Sequence, residues 1–162
     1  MRKLFAAFLA ISFLVSSCKT KQAFNFSEDI VKKEKALEPM IMQTDSAIEK
    51  YAGQLEYDSM VAVSQRMESR VQQAIDEIQE MPADGLDEGQ NFKDASLKYF
   101  GYIKSIYTSY RKVSGASSDE ERQGEYEGLM ALVQKKEKVL QEMRDAQEKF
   151  AKANGFRLES KP

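Results

Sequence analysis

Residues 91–113, NFKDASLKYFGYIKSIYTSYRKV, decide the fold class of this chain. Their apolar and aromatic residues recur three or four positions apart, which is the period of one face of an α-helix and not that of a strand. The positions on this face are Phe92, Ala95, Tyr99, Ile103, Ile106, Tyr110 and Val113. Such a face is stable in water only when other elements cover it. The stretch therefore predicts an amphipathic helix that packs against its neighbours.

Three further segments show the same helical period. They begin at Ser27, Asp58 and Ser118, and breakers such as glycine and proline separate them. Ser118 forms a predicted capping box with Glu121. The apolar positions of the three segments are Ile30, Leu37, Ile41, Ile48, Tyr51 and Leu55 in the first, Met60, Val63, Met67, Val71, Ala74, Ile78 and Met81 in the second, and Tyr126, Leu129, Val133, Leu140, Met143 and Phe150 in the last. Each segment therefore predicts one helix.

Four amphipathic helices with mostly short connections predict an all-α fold. The expected architecture is an up-down-up-down antiparallel four-helix bundle with coiled-coil-like seams over residues 27–158. No run alternates with a period of two, so no strand is predicted. Pro39 lies within the first seam, where we expect a kink because the seam continues in phase. Gly101, Gly124 and Gly128 fall inside helices and are expected to mark close approaches between helices.

The composition excludes several classes of function. The chain of 162 residues contains one cysteine, no histidine and no tryptophan. Without histidine, neither a Ser-His-Asp nor a Cys-His triad can be built, and no metal or haem can be bound through histidine. With 24 basic and 26 acidic residues, the balance predicts no nucleic-acid partner. We therefore expect a non-enzymatic protein with no catalytic residue, no cofactor and no metal.

The N-terminus predicts export. Arg2 and Lys3 precede an apolar run from Leu4 to Val15. This run is shorter than the about 20 residues that a helix needs to span a bilayer. A cationic start followed by such a run is typical of a secretory signal peptide, which we place at residues 1–17.

The residues that follow, Val15-Ser16-Ser17-Cys18, resemble the lipobox of bacterial lipoproteins. The resemblance implies that Cys18 is acylated with chains such as palmitate and becomes the first residue of the mature protein, with residues 18–26 as a tether. Two or three acyl chains anchor a protein stably where one does not. In enteric bacteria, an Asp directly after the lipidated Cys resembles an inner-membrane retention signal, and this chain has Lys19 there. In Bacteroidota, an acidic tract after the Cys resembles a surface-export signal, and no such tract follows Cys18. The expected location is the cell envelope, at the outer membrane facing the periplasm, with surface display left open.

An aromatic stripe crowds the helix predicted over residues 91–113. It comprises Tyr99, Phe100, Ile103, Tyr107 and Tyr110. Rings at seam positions are typical of core packing, with the phenol oxygens reaching the edge of the bundle. A pocket for a small apolar ligand, lined by the same residues, is the alternative. Tyr102 belongs to the opposite face and is expected to be exposed.

Two charged residues interrupt the helical seams. Antiparallel pairing of the first and last helices places Glu34 opposite Ala146 and Gln147, and it places Lys136 opposite Thr44. Buried polar residues set the register of packed helices, so we expect two polar layers. Lys136 is expected to extend its amine to solvent rather than to act as a catalytic amine.

Two serines lie in triplets that resemble the Asp-Ser-apolar motif of Bacteroidota O-glycosylation. They are Ser46, between Asp45 and Ala47, and Ser59, at the start of the second helix. Ser59 is the better candidate of the two, and the sequence leaves open whether either is glycosylated.

The stretches NFSEDIVKKEKAL at 25–37 and EMRDAQEKFAKANGFRL at 142–158 resemble a family of small helical surface lipoproteins of unassigned function from Leptospira and Bacteroidota. The leading hypothesis is an envelope lipoprotein, anchored to the membrane by lipid, that presents a helical bundle to an envelope protein or a glycan. The alternative is a periplasmic carrier or sensor that holds a small apolar ligand within the bundle. A filled interior favours the first hypothesis, and a continuous cavity along the third helix favours the second.

Overall fold

The computed structural model describes residues 10–12 and 18–159. Most of the predicted signal peptide, residues 1–9 and 13–17, lies outside the described residues. The described chain forms helices α1 (Cys18–Gln54), α2 (Tyr57–Glu80), α3 (Gly89–Gly115), α4 (Asp119–Val133) and α5 (Lys136–Ala153), with two short strands, β1 (Ala10–Ser12) and β2 (Arg157–Glu159). The predicted all-α helical bundle is confirmed.

Helix α3 lies at the centre of the bundle. It packs against α2, α4 and α5, and α1 packs mainly against α2. Leu55 and Tyr126 were assigned to seams and are exposed, so those two assignments are wrong. Most other positions that share the helical period become buried, for example Phe92 on α3, Val71 on α2 and Ile30 on α1, each with no exposed surface. The seams identified from periodicity therefore form the core, because burying these faces is what stabilises the helices.

Helix α1 begins nine residues before the predicted start at Ser27. It starts at Cys18, and Ala23, Phe24 and Phe26 are buried. The rings of Phe24 and Phe156 are 6.0 Å apart. The prediction that residues 18–26 form a tether is therefore wrong, because helical spacing of apolar side chains continues back from Ile30 to Ala23. As predicted, α1 continues through Pro39.

The predicted fourth helix is divided at Gln134 and Lys135. Both residues keep right-handed helical dihedral angles. The N–H of Lys135 donates to the carbonyl of Leu132 at 3.0 Å, a tightened turn that separates α4 from α5. At the start of α4 the predicted cap is present, since the Ser118 Oγ accepts from the N–H of Glu121 at 3.1 Å.

The chain leaves α5 through a left-handed glycine. Gly155 has a φ of 72°, and the N–H of Phe156 donates to the carbonyl of Ala151 at 3.1 Å. This hydrogen bond is typical of a Schellman motif. It directs the chain into β2, which pairs antiparallel with β1 so that Leu158 lies opposite Ile11. The two short strands were not predicted, since three residues carry too little pattern to show alternation.

The glycines inside the helices do not mark close helix approaches. A Cβ atom built at Gly101, Gly124 or Gly128 would have no neighbouring atom within 4 Å. That prediction is wrong, because these positions face open space. Gly89 is the crowded position, where a Cβ would lie 2.7 Å from the carbonyl oxygen of Ala83.

Candidate functional site

The aromatic stripe lies in the interior of the bundle. Tyr99, Phe100, Ile103 and Tyr107 are buried, and Tyr110 is half-buried. Tyr99 and Phe100 meet edge to face with their ring centroids 5.6 Å apart, and Tyr107 and Tyr110 lie 6.3 Å apart. Both distances fall in the range of favourable aromatic pairs.

Tyr99 spans the interior from α3 to α1. Its hydroxyl donates to Oε1 of Glu34 at 2.6 Å, and both side chains are buried. Burial raises the pKa of Glu34 to about 7, although the Tyr99 hydroxyl opposes part of this rise. Burial and the neighbouring carboxylate raise the pKa of Tyr99 far above its usual value, so the phenol keeps its proton. The pair therefore forms a polar contact inside an apolar core.

A second contact of the same kind lies further along the same two helices. The hydroxyl of Tyr107 donates to Oδ1 of Asp45 at 2.9 Å. Burial raises the pKa of Asp45, and it raises the pKa of Tyr107 as well. Tyr110 lies beside this pair, and burial together with Asp45 raises its pKa to about 12. Two tyrosine–carboxylate pairs thus connect α3 to α1.

The sequence analysis named the members of both pairs but did not pair them. Glu34 is buried as a polar layer, as predicted, but its hydrogen bond goes to Tyr99 on α3 rather than to Ala146 or Gln147 on α5. Asp45 drew attention only as part of a glycosylation triplet. The missed signal is that alternate helices of an up-down bundle run parallel, so acidic residues on α1 and tyrosines on α3 can pair in order along the chain.

Lys136 is half-buried at the first position of α5, beside the break between α4 and α5.

Tyr102 is buried, with 7% of its surface exposed. Burial raises the pKa of Tyr102, and the nearby carboxylate of Glu137 on α5 adds to this rise. The prediction that Tyr102 is exposed is therefore wrong, because α3 is covered by helices on both sides. Leu55 was assigned to the first seam, and its exposed fraction of 69% shows that this assignment is also wrong.

Several buried polar side chains have atoms without a hydrogen-bonding partner among the described residues, and Gln147 lacks a partner on both amide atoms. The amide of Gln147 on α5 is fully buried, and neither its nitrogen nor its oxygen has a hydrogen-bonding partner among the described residues. An unsatisfied buried amide costs about 1–3 kcal/mol. The residue was expected to face Glu34, which instead pairs with Tyr99.

The predicted lipidation site lies at one end of the bundle. Cys18 is exposed at the first position of α1. The next residue, Lys19, places its Nζ atom 2.9 Å from Asp87 in the connection between α2 and α3. The amide of Asn154 donates to the backbone carbonyl of the same Asp87 at 2.7 Å. Asp87 thus connects the start of α1, through Lys19, with the end of α5, through Asn154.

The predicted glycosylation candidates differ in surroundings. Ser46 is exposed on α1. Ser59 is half-buried, and its Oγ donates to Oε2 of Glu56 at 3.1 Å. Ser46 is therefore the more accessible of the two hydroxyls, contrary to the preference drawn from the sequence.

Two shallow surface depressions lie away from the aromatic stripe. One, of about 310 Å³, is lined by residues of α1 and by Met81, and the other, of about 350 Å³, lies between α3 and α5. Both are open to solvent, and neither is lined by a residue of the stripe. Within residues 18–159, no group of three acidic, cysteine or histidine side chains is arranged to hold a metal. No helix in the described part of the chain has the length and hydropathy to cross a membrane.

The sequence matches no protein-family model, no curated protein and no solved structure.

Proposed function

We propose that this chain is a non-enzymatic envelope lipoprotein, anchored through acyl chains on Cys18, that presents its helical bundle to another macromolecule. The observation that carries the proposal is the position of Cys18. It follows a signal-peptide-like segment and stands exposed at the first position of a helix that is packed from Ala23 onwards. A lipid attached there holds one end of a rigid body at the membrane surface.

The filled interior supports presentation over carriage. A carrier needs a cavity of a few hundred Å³ along α3. The rings of Tyr99, Phe100 and Tyr107 occupy this space, and the two hydroxyls are bonded to carboxylates of α1. A small apolar ligand inside the bundle would have to displace these contacts. The outer surface is therefore where we place the interaction.

The proposed anchor also bears on the short strand pair. Strand β1 lies within residues 1–17, which a lipoprotein signal peptidase would remove. Residues Arg157–Glu159 would then lose the strand with which they pair. Since the acyl chains on Cys18 would hold this end of the mature bundle, it would face the membrane, which we propose is the periplasmic side of the outer membrane.

The test of the anchor is acylation at Cys18. Cys18→Ala is expected to abolish metabolic labelling with palmitate and to move the protein from the membrane fraction to the soluble fraction. Ser17→Ala is the matched control, since it keeps a small residue before the cysteine and is expected to leave both readouts unchanged. A Cys18→Ala protein that is still labelled, or a wild-type protein that fractionates as soluble, would overturn the proposal.

A further inference from the structure

Among the described residues five large apolar side chains stay exposed, and four of them lie towards the end of the bundle opposite Cys18. These four, Leu55, Tyr57, Tyr126 and Met130, are between 36% and 69% exposed, and we call them the distal face. The fifth, Met42, lies apart on α1. Leu55 and Tyr57 lie at the connection between α1 and α2, and Tyr126 and Met130 lie on α4. Isolated exposed apolar residues are ordinary, whereas grouped ones mark interaction sites.

Contacts around Arg122 join the two halves of the distal face. The guanidinium of Arg122 lies over the ring of Tyr57, 4.2 Å from its centroid. The same guanidinium donates to the carbonyl of Val113 at 3.1 Å, so its position is fixed. Arg122, Tyr126 and Met130 are spaced four residues apart on α4 and therefore form one row along the helix. The row runs from Tyr57 along the length of α4.

Leu55 has a conformation that its side chain disfavours. It has a φ of 59°, in the left-handed region that glycine or asparagine usually occupies at the end of a helix. The N–H of Glu56 donates to the carbonyl of Tyr51 at 2.9 Å across this turn. A leucine here costs conformational energy and exposes 69% of its surface without a packing gain within the chain. Such departures from local preference are expected at functional positions.

The charge of the mature chain is concentrated on α4. Helix α4 (Asp119–Val133) contains five carboxylates and one guanidinium, so it carries a net charge of −4. The full chain carries −2, and residues 1–17 contain Arg2 and Lys3 as their charged residues, so residues 18–162 also carry −4. The remainder of the mature chain is thus neutral overall. The exposed Glu120 and Glu127, seven residues apart, lie on the solvent side of the row that contains Tyr126.

We infer that the distal face, with the carboxylates of α4, binds a cationic amphipathic segment of a partner protein, placing apolar side chains on Tyr126 and Met130 and basic side chains on Glu120 and Glu127. This inference deepens the proposed function and rests on it. The acidic border disfavours the other occupants through like-charge repulsion. A second copy would bring another α4 with the same charge, and an anionic lipid surface would be repelled. A basic segment gains both complementary charge and apolar contact.

The test is a titration with model peptides of known chemistry. The protein carries Cys18→Ser, so its binding does not depend on acylation, and failure here is distinguishable from failure of the anchor. The probe is a fluorescent peptide of about 18 residues, five helical turns, in which Leu and Lys alternate with the helical period. The matched peptides replace every Leu with Ser or every Lys with Glu. Fluorescence anisotropy measures Kd at about 50 and about 300 mM NaCl, where charge screening differs.

The Leu/Lys peptide is expected to bind, and the Ser/Lys and Leu/Glu peptides are expected to bind at least about tenfold more weakly. Tyr126→Ser with Met130→Ser should weaken binding about tenfold at both salt concentrations, since these contacts are apolar. Glu120→Gln with Glu127→Gln should weaken it about fivefold at low salt and less at high salt. The control on α2, Asp76→Asn with Glu80→Gln, removes the same charge from another exposed face and should leave Kd unchanged.

Three results would overturn the inference. One is no saturable binding of the Leu/Lys peptide. Another is an equal loss of affinity in the α2 control, which would show attraction by net charge alone. The third is a wild-type dimer in light scattering that Tyr126→Ser with Met130→Ser dissociates, which would make a second copy the occupant. The substituted residues on α4 are exposed, so unchanged thermal unfolding is expected for each variant and is checked by circular dichroism.

Discussion

The two ends of the bundle differ in the burial of their aromatic side chains. At the end that carries Cys18, Phe26, Phe92 and Phe150 are buried against one another, with centroids 5.0 to 6.1 Å apart. At the opposite end, Tyr57 and Tyr126 are exposed, and α4 buries a single side chain, Leu129. The difference indicates that rings are fully buried at the end with Cys18, whereas part of the apolar surface stays exposed at the other end.

The largest expected effect tests this division directly. Phe150→Ala removes a ring that contacts Phe26, Phe92 and Phe156, and it should lower the free energy of unfolding by about 3–5 kcal/mol through lost burial and the cavity left behind. Tyr126→Ala at the other end should change it by less than about 0.5 kcal/mol. Urea unfolding followed by circular dichroism measures both. Similar losses for the two variants would show that stability is spread evenly along the bundle.

The next effect concerns the first polar contact beyond the phenylalanine rings. Burial raises the pKa of Glu34 from 4.5 to about 7, so the folded protein binds this proton more tightly than the unfolded chain. The stabilisation is complete below pH 4.5 and is lost as the pH rises through about 7. A pKa difference of this size corresponds to about 3 kcal/mol. Wild-type protein should therefore lose stability between pH 5 and pH 8 relative to Glu34→Gln, which cannot titrate.

The comparison with Glu34→Gln isolates this group from the other carboxylates whose pKa values are shifted in the fold. Asp45 has a raised pKa and acts in the same direction. Salt bridges lower the pKa of Glu77 and Glu142, and their contribution is lost as the pH falls through the ordinary range of a carboxylate. Equal dependence of the unfolding free energy on pH in the wild type and in Glu34→Gln would contradict the prediction and show that Glu34 stays ionised in the fold.

A gain in stability is expected at Gln147. Its buried amide has no partner among the described residues, and Gln147→Leu replaces it with an apolar side chain of similar size. Removing an unsatisfied amide should raise the free energy of unfolding by about 1–2 kcal/mol. Gln141→Leu on the exposed face of the same helix is the control, and it should change the stability little. A destabilised Gln147→Leu protein would mean that the amide does have a partner in solution.

Periodicity was sufficient to predict the helices because burial of one face is what makes each of them stable. It failed at the start of α1, where Lys19 and Lys21 interrupt the apolar pattern and Ser27 resembles a cap although it is buried within the helix. The aromatic stripe was predicted as core, since its rings lie on the seam of α3. The pairing of its tyrosines with Glu34 and Asp45 on α1 was not predicted, because contacts across the interior depend on the distance between helices and not on spacing along the chain.

The smallest expected effect lies on the distal face and separates stability from function there. Leu55 has a φ of 59° and an exposed fraction of 69%, so it adds backbone strain and buries less than a third of its surface. Leu55→Gly removes the steric cost of the left-handed conformation and adds conformational freedom to the unfolded chain. The two effects oppose each other, and the net change should be a gain of at most about 1 kcal/mol. Gly53→Ala, in the last turn of α1 with open space around its Cβ position, makes the reverse change in the unfolded chain and should stabilise by about 1 kcal/mol.

If the distal face binds a partner, Leu55→Gly should keep or raise the melting temperature and weaken binding of the Leu/Lys peptide. Gly53→Ala should raise the melting temperature and leave that binding unchanged. A Leu55→Gly protein that is clearly destabilised would show that the leucine packs within the chain, and the comparison between a stabilising end and an interacting end would then fail at this residue.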